Sequence, residues 1–423
     1  MREAFAPALT IAFALVSALL FSGTSLADQN PLADPNPLAD PNMLALFASM
    51  GPIAGSGEPG VVSTRTVTVA PDALDAAQLL IAWDEVRLVA NRAHIEQRPQ
   101  QDRQTWRGYI DENPANTLLI TRLGQRFSGR IQLGTQNFRI RSDARGNTHL
   151  LELAPRVGPI DSGGQNRPAA PLIPPVSDGS ATLQLDPASL SPLTPPVRSA
   201  IANVTDEVVQ DLLVVYNQAA CNDAGGCAQL EVDILNAVAG TNAAYARSQV
   251  GISLNLVGMR WVDYAGSDFS TTLTHLSARA GSETDPDGML DEVRIMRDEF
   301  GADLVTMVFR RGPGTASCGL AYLLPGDGDL TAAPFAFNVI DMSSSCQPSD
   351  LILAHEIGHN QGADHDRETA AESARLVNPS NPDLPQPGEY QYGFRRCRDG
   401  SVDDFGAAPY FYTIMAYQCG VVQ

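Results

Sequence analysis

Three of the chain's six histidines fall within eleven positions, in the stretch LAHEIGHNQGADHD at residues 353–366. In a helix, His355 and His359 stand four positions apart, about 40° around the axis and roughly one turn along it, so both imidazoles can address one atom. Gly362 falls where such a helix can end on a left-handed residue, which would reverse the chain and carry His365 back toward the same point. Three neutral imidazole nitrogens at about 2.0–2.1 Å would fill three corners of a zinc tetrahedron and leave the fourth to water, the arrangement of a catalytic rather than a structural metal. Glu356, adjacent to His355, points about 100° away around the axis, beside the metal rather than on it. From there its carboxylate would hold the zinc-bound water, take its proton as the water attacks a carbonyl, and hand that proton to the leaving amine. A packing role for three histidines so close together is the weaker reading, because HExxHxxGxxH would arise by chance only about a few times per million chains of this composition.

The histidines need a helix beneath them and a sheet beneath the helix. SDLILAHEIGHNQ supplies the helix, with Ser349 or Asp350 as its cap. From Val204 onward strand and helix patterns alternate, which predicts a mixed α/β sheet. The expected order is a strand at VVQDLLVVYNQ, an amphipathic helix at LEVDILNAVAGTNAAYARSQ, and a strand at ISLNLVGMRWV. Helical pieces follow at DFSTTLTHLSA and MLDEVRIMRDEF, then strands at ADLVTMVFR, GLAYLL and FAFNVIDM.

Upstream, the chain divides by composition. Residues 1–27 carry Arg2, an apolar run from Ala8 to Phe21 and a Ser-Leu-Ala ending, the pattern of a secretory signal peptide with cleavage after Ala27. Residues 28–62, with PLADPN repeated, read as a Pro/Gly-rich linker. Short alternating runs such as TLLITRL and FRIRS make 63–155 a β-rich domain, and the proline-rich 156–200 reads as a second linker before the domain at 201–423. The mature protein is expected to be secreted, extracellular or periplasmic, without a membrane anchor. No cysteine lies near the cleavage site to take a lipid.

All six cysteines, Cys221, Cys227, Cys318, Cys346, Cys397 and Cys419, lie in the second half of a chain marked for export, which argues for three disulfides. The favoured pairs are the sequential ones, since each joins segments close in chain order. Residues 201–423 hold 30 acids and 12 arginines, so that half carries −18 of the net −20. Such a charge balance disfavours nucleic acid, and none is expected as a partner, because phosphate contact needs a basic surface. The acidic clusters DPDG at 285–288 and GDGD at 326–329 have the residue types for calcium, but neither has the full loop pattern, and both read as solvated turns.

HEIGHNQGADH together with YTIMAY at 412–417 resembles the metzincin zinc metalloproteases, and Asp366 directly after His365 resembles their reprolysin or adamalysin branch. The resemblance covers about 201–423. It implies an α/β fold whose catalytic domain has a mixed, mostly parallel sheet with an active-site helix and a methionine turn, preceded by a β-rich prodomain. It further implies that Met415 forms the apolar floor of the site, that Asp366 braces the turn, and that GLAYLL is the rim strand on which an extended substrate adds, through Gly319, Leu320, Ala321 and Tyr322. The Cys397–Cys419 pair would then tie down the methionine-turn segment. Tyr417, two residues after Met415, departs from that branch and resembles the astacins and serralysins, where such a tyrosine reaches the zinc or the oxyanion. The sequence continues eight residues past Met415, so the family's C-terminal helix is expected to be missing or displaced. Propeptides of this group often block zinc with a cysteine, but residues 28–200 contain none. Masking would fall to a carboxylate, to steric cover, or to His94 or His149, both of which read as ordinary surface residues.

The expected function is that of a secreted zinc endopeptidase, made as a zymogen and acting on protein or peptide substrates. A metal-dependent amidase acting on small or cell-wall peptides is the nearer rival. A non-catalytic surface protein that keeps the zinc fold for binding is disfavoured by the presence of Glu356 and all three histidines.

Overall fold

The N-terminal strands pair in an order that returns to its start. In a computed structural model, which describes residues 43–70, 72–134, 136–154, 208–277, 288–313, 315, 317–324, 330–343, 346, 350–366, 392–396 and 411–416, the first eleven strands form one sheet. They are β1 (Met43–Ala45), β2 (Phe47–Met50), β3 (Ala54–Gly55), β4 (Val61–Val69), β5 (Gln78–Trp83), β6 (Val86–Arg98), β7 (Arg103–Ile110), β8 (Asn113–Leu123), β9 (Arg126–Leu133), β10 (Gln136–Ser142) and β11 (Thr148–Leu153). The path runs β1-β5-β6-β7-β8-β9-β10-β11-β4-β2, and only Leu46 separates its two ends. Leu46 N–H donates to Leu80 and its carbonyl accepts from Ala70, so the sheet closes into a barrel. Period-two alternation explains the filling. Ile120, Ile131 and Ile140 point inward with Trp106 and Leu118, all fully buried, while Thr121, Arg139 and Arg141 point outward.

This corrects one expectation. The sequence places 28–62 in a linker, yet 43–55 are strands that close the barrel. Those strands are two to four residues long. Their stability comes from pairing with β4 and β5 rather than from any local pattern, which is why composition hid them.

The C-terminal half is built on β12 (Val208–Tyr216), β13 (Ile252–Trp261), β14 (Leu304–Val308), β15 (Gly319–Ala321) and β16 (Phe337–Ile340), in the order β13-β12-β14-β16-β15. The first four in that order are mutually parallel, and β15 runs antiparallel on the edge. The helices are α1 (Gln218–Ala224), α2 (Cys227–Ser248), α3 (Phe269–Ser277), α4 (Asp291–Phe300) and α5 (Asp350–Asn360). Leu230, Ile234, Ala237 and Val238 recur at helical spacing and turn one face of α2 into the apolar core. Ile352, Leu353 and Ile357 do the same for α5. The core also contains Leu212–Val215 of β12 and Val305 and Met307 of β14, apolar on both faces as a buried parallel sheet requires. Beyond α5 lie β17 (Asp364–Asp366) paired with β18 (Tyr392–Gly393), and β19 (Arg395–Arg396) paired with β20 (Phe411–Tyr412).

Two disulfides occur among the described residues, Cys221–Cys227 and Cys318–Cys346. The second, with the hydrogen bond from Asp341 N–H to the Cys318 carbonyl, fixes the entry to β15. Cys397, Cys419 and Tyr417 lie outside the described residues, as do Ser349 and most of both acidic clusters.

Candidate metal centre

α5 carries His355, Glu356 and His359, all buried. It stays in register with the sheet through Asn360, whose side-chain amide donates to the carbonyls of Tyr322 and Phe337 and accepts from Asn338. The helix ends at Gly362, whose φ of +89° lies in the region that costs glycine nothing. Ala363 N–H then donates to the Gly358 carbonyl, and the reversed chain delivers His365.

The three imidazoles offer ring nitrogens within 4.8 Å of one another. His359 Nε2 and His365 Nε2 lie 3.1 Å apart, close to the roughly 3.3 Å between two ligands of a tetrahedral zinc at about 2.0–2.1 Å. The second ring nitrogens are held from behind: His355 Nδ1 donates to the Ile414 carbonyl and His359 Nδ1 to the Ala363 carbonyl, each at 2.7 Å. A carbonyl only accepts, so both protons sit on Nδ1 and both Nε2 lone pairs face inward. Two lone pairs converging with a third imidazole suit a divalent cation among them, and the all-nitrogen donor set fits zinc.

Two glycines explain how close the neighbours come. A Cβ on Gly358 would lie 2.4 Å from Met415 Sδ, so the bare helix face admits the methionine directly beneath the ligands. A Cβ on Gly319 would lie 2.3 Å from Glu356 Oε1, so the edge strand passes against the carboxylate. Leu320 and Ala321 continue that strand, paired to Val339 and Asn338, and its far edge carries no further strand among the described residues. Tyr322 follows, but its side chain turns into the core, where burial pushes the phenol up and its hydroxyl meets Ser277 of α3 at 2.8 Å.

Asp366 is fully buried and pairs with Arg395, at 3.4 Å. Asp364, also fully buried, accepts from His365 N–H at 2.7 Å. Sequence reasoning missed Arg395, Gly358 and the Ile414 carbonyl. The glycine inside HEIGH and the arginine pair in YGFRRC were the available signals, but neither shows its contact without the fold. Met415 is half-buried in a turn, with its main chain close to Gly393. His94 is exposed, and His149 is bonded to Asp143 at 3.1 Å.

Three histidines and a carboxylate on one helix and its following turn, beside the free edge of a mostly parallel sheet, define a site of the metallopeptidase type. Residues 205–421 match the model described as "Metallo-peptidase family M12B Reprolysin-like", and the chain belongs to that family. The chain is similar to the Peptidyl-Asp metalloendopeptidase of Pseudomonas aeruginosa, at 30% identity over 49% of this chain and 31% of the relative. It is also similar to the Peptidyl-Asp metalloendopeptidase of Stenotrophomonas maltophilia strain K279a, at 28% identity over 73% of this chain and 61% of the relative. The matched stretches thus span about a third and three fifths of those relatives' lengths. Among solved structures, metalloproteinase-II from Bacteroides fragilis aligns over 68% of this chain and 81% of its own, with a TM-score of 0.39 and 12% identity.

Proposed function

We propose that this chain is a zinc-dependent endopeptidase, exported by its N-terminal signal and made as a zymogen with the barrel as its N-terminal part. The observation that carries the reading is the convergence of His355, His359 and His365 with Glu356 alongside and the edge strand β15 against that carboxylate. Zinc held by the three imidazoles would supply Lewis-acid polarisation and lower the pKa of a water toward neutrality. Glu356, buried between two ligands, takes the proton of the attacking water and passes it to the leaving amine. An extended peptide adds to the free edge of β15 by backbone hydrogen bonds, which brings its carbonyl to the carboxylate. Asp366, with Arg395 behind it, keeps the His365 turn in place, and Met415 supplies the floor. Tyr417 donates to the developing oxyanion. The substrate class is peptides with aspartate at the cleavage site, in keeping with the name Peptidyl-Asp metalloendopeptidase that the relatives carry. Among the described residues no helix is long and apolar enough to cross a membrane.

Glu356→Gln tests the core of this reading. It is expected to keep stoichiometric zinc while turnover of an Asp-containing peptide falls by about 10²–10⁴; full activity would remove Glu356 from the mechanism. An Asp→Asn peptide and a small-amide panel, run beside it, separate the endopeptidase from an amidase. Tyr417→Phe is expected to lower turnover by about 10²–10³ with zinc content unchanged, and a variant as fast as the parent retires that role.

A further inference from the structure

Both faces of α2 are buried, and they differ in kind. One joins the apolar core of the C-terminal half. The other presents Gln229, Asp233 and Asn236, spaced i, i+4 and i+7, and each is at most 2% exposed although all three are polar. What covers them is the outer face of the barrel. Arg139 Nη2 lies 3.0 Å from Asp233 Oδ2 and Arg141 Nε 3.4 Å from the same oxygen. Gln229 donates both to Asp233 and to the Phe127 carbonyl, and Thr121 donates to Asn236 Oδ1 at 3.1 Å.

No apolar cluster crosses this contact. The barrel core and the core of the C-terminal half are separate sets of residues. Each half has its own core, and the contact between them is held by groups that water also satisfies, with single buried apolar residues such as Val232 and Leu119 outside both cores. Once docked, Asp233 is desolvated with two guanidinium groups upon it, so a barrel without the arginines would leave its charge buried and uncompensated. The contact is therefore selective without being part of either core. The edge strand has other neighbours: α2 packs against α5 and β13, whereas β15 packs against α5 and α3.

We infer that the barrel is a non-covalent partner of α2 that stays bound after the connection between the halves is cut. Asp233 with Arg139 and Arg141 is its clasp. No disulfide can substitute for the clasp, because every cysteine lies beyond residue 200. The inference goes beyond the peptidase reading and is independent of it, since no step involves the metal centre.

The test uses the full chain with a specific protease site inserted within residues 156–200. After cutting, both fragments are expected to run as one species at physiological salt and low micromolar concentration. Arg139→Gln and Asp233→Asn, each followed by sedimentation on dilution, are expected to weaken the association about 30-fold or more, the lower end for truncating one partner of a buried, hydrogen-bonded charge pair. The double variant should be little worse than the worse single one, since the two residues act as a pair. Glu299→Gln, on the exposed face of α4, should leave the association unchanged. If Asp233→Asn fails to fold, Arg139→Gln on the outside of the barrel still decides the matter. Separation of the unmutated fragments on cutting overturns the inference, as does an Arg139→Gln complex as tight as the parent.

Discussion

Gly319→Ala should disable catalysis by moving one carboxylate while leaving the fold and the metal in place. A Cβ at this position falls 2.3 Å from Glu356 Oε1 and 2.6 Å from its Cγ and Cδ. Real contacts of that kind sit above about 3 Å, so the carboxylate must retreat by about 1 Å. A displacement of that size at a reacting group costs on the order of 10² in rate, within the 10²–10⁴ range for losing a general base outright. Folding should hardly notice. Gly319 is a strand residue outside the left-handed region, the obstructing atoms belong to a side chain rather than to main chain, and alanine in a strand recovers about 0.5–1 kcal/mol of backbone entropy.

The assay is turnover of an Asp-containing peptide alongside zinc content and thermal melting. The expected pattern is about 100-fold slower turnover, unchanged zinc and a melting temperature within a few degrees of the parent. A second arm makes the cause specific. Glu356→Asp withdraws the carboxylate by one methylene, so it should cost less in the Gly319→Ala background than in the parent chain. Equal cost in both backgrounds would mean that the alanine acts on something other than Glu356, and parental turnover in Gly319→Ala would refute the placement of the edge strand against the carboxylate proposed as the base.

Two further outcomes concern the support beneath the ligands. Met415→Ala removes the side chain that fills the space left by Gly358, so it should lower stability by about 2 kcal/mol, the lower end for a truncated core methionine at a half-buried position, and speed zinc loss to a chelator. Arg395→Gln takes the cation from a fully buried Asp366, which should cost up to about 3–5 kcal/mol and weaken zinc retention through the His365 turn; a melting curve unchanged from the parent would show that other groups compensate Asp366.

The cluster of three histidines was legible because its information is local. His355, Glu356 and His359 are fixed by one helical repeat, and Gly362 by the turn that must end it. Most of the C-terminal elements were legible for the same reason: Leu212–Val215 is an apolar run of strand length, Leu304–Val308 is apolar but for Thr306, and α2 carries an apolar stripe. Two elements were not. The strands at 43–55 are too short to show a period and follow a proline-rich repeat, so only their partners β4 and β5 define them. α1 is seven residues between Asn217, whose side chain caps it, and Gly225, too short for an apolar period to mark it in the sequence. Two approaches at the site, Gly319 to Glu356 and Arg395 to Asp366, join segments 29 or more residues apart and leave no pattern in the sequence.

The polar face of α2 shows a deeper limit. Gln229, Asp233 and Asn236 repeat at helical spacing opposite an apolar stripe, which is how a helix facing water is written. A helix facing a polar partner is written the same way, because hydrogen-bonding side chains are satisfied equally by solvent and by complementary groups. Arg139 is 94 residues from Asp233, and on its own strand it alternates with Phe138 and Ile140 as any outward residue of a barrel would. Each half of the clasp is therefore consistent with solvent when read alone, and only the matched charges, brought together, identify the contact. The same ambiguity makes the contact separable: a face that reads as solvated is one that water can reclaim. An apolar seam would have tied the barrel and the C-terminal half into one core, whereas here the two cores stay separate and substitution at Arg139 or Asp233 is expected to loosen the polar contact between them.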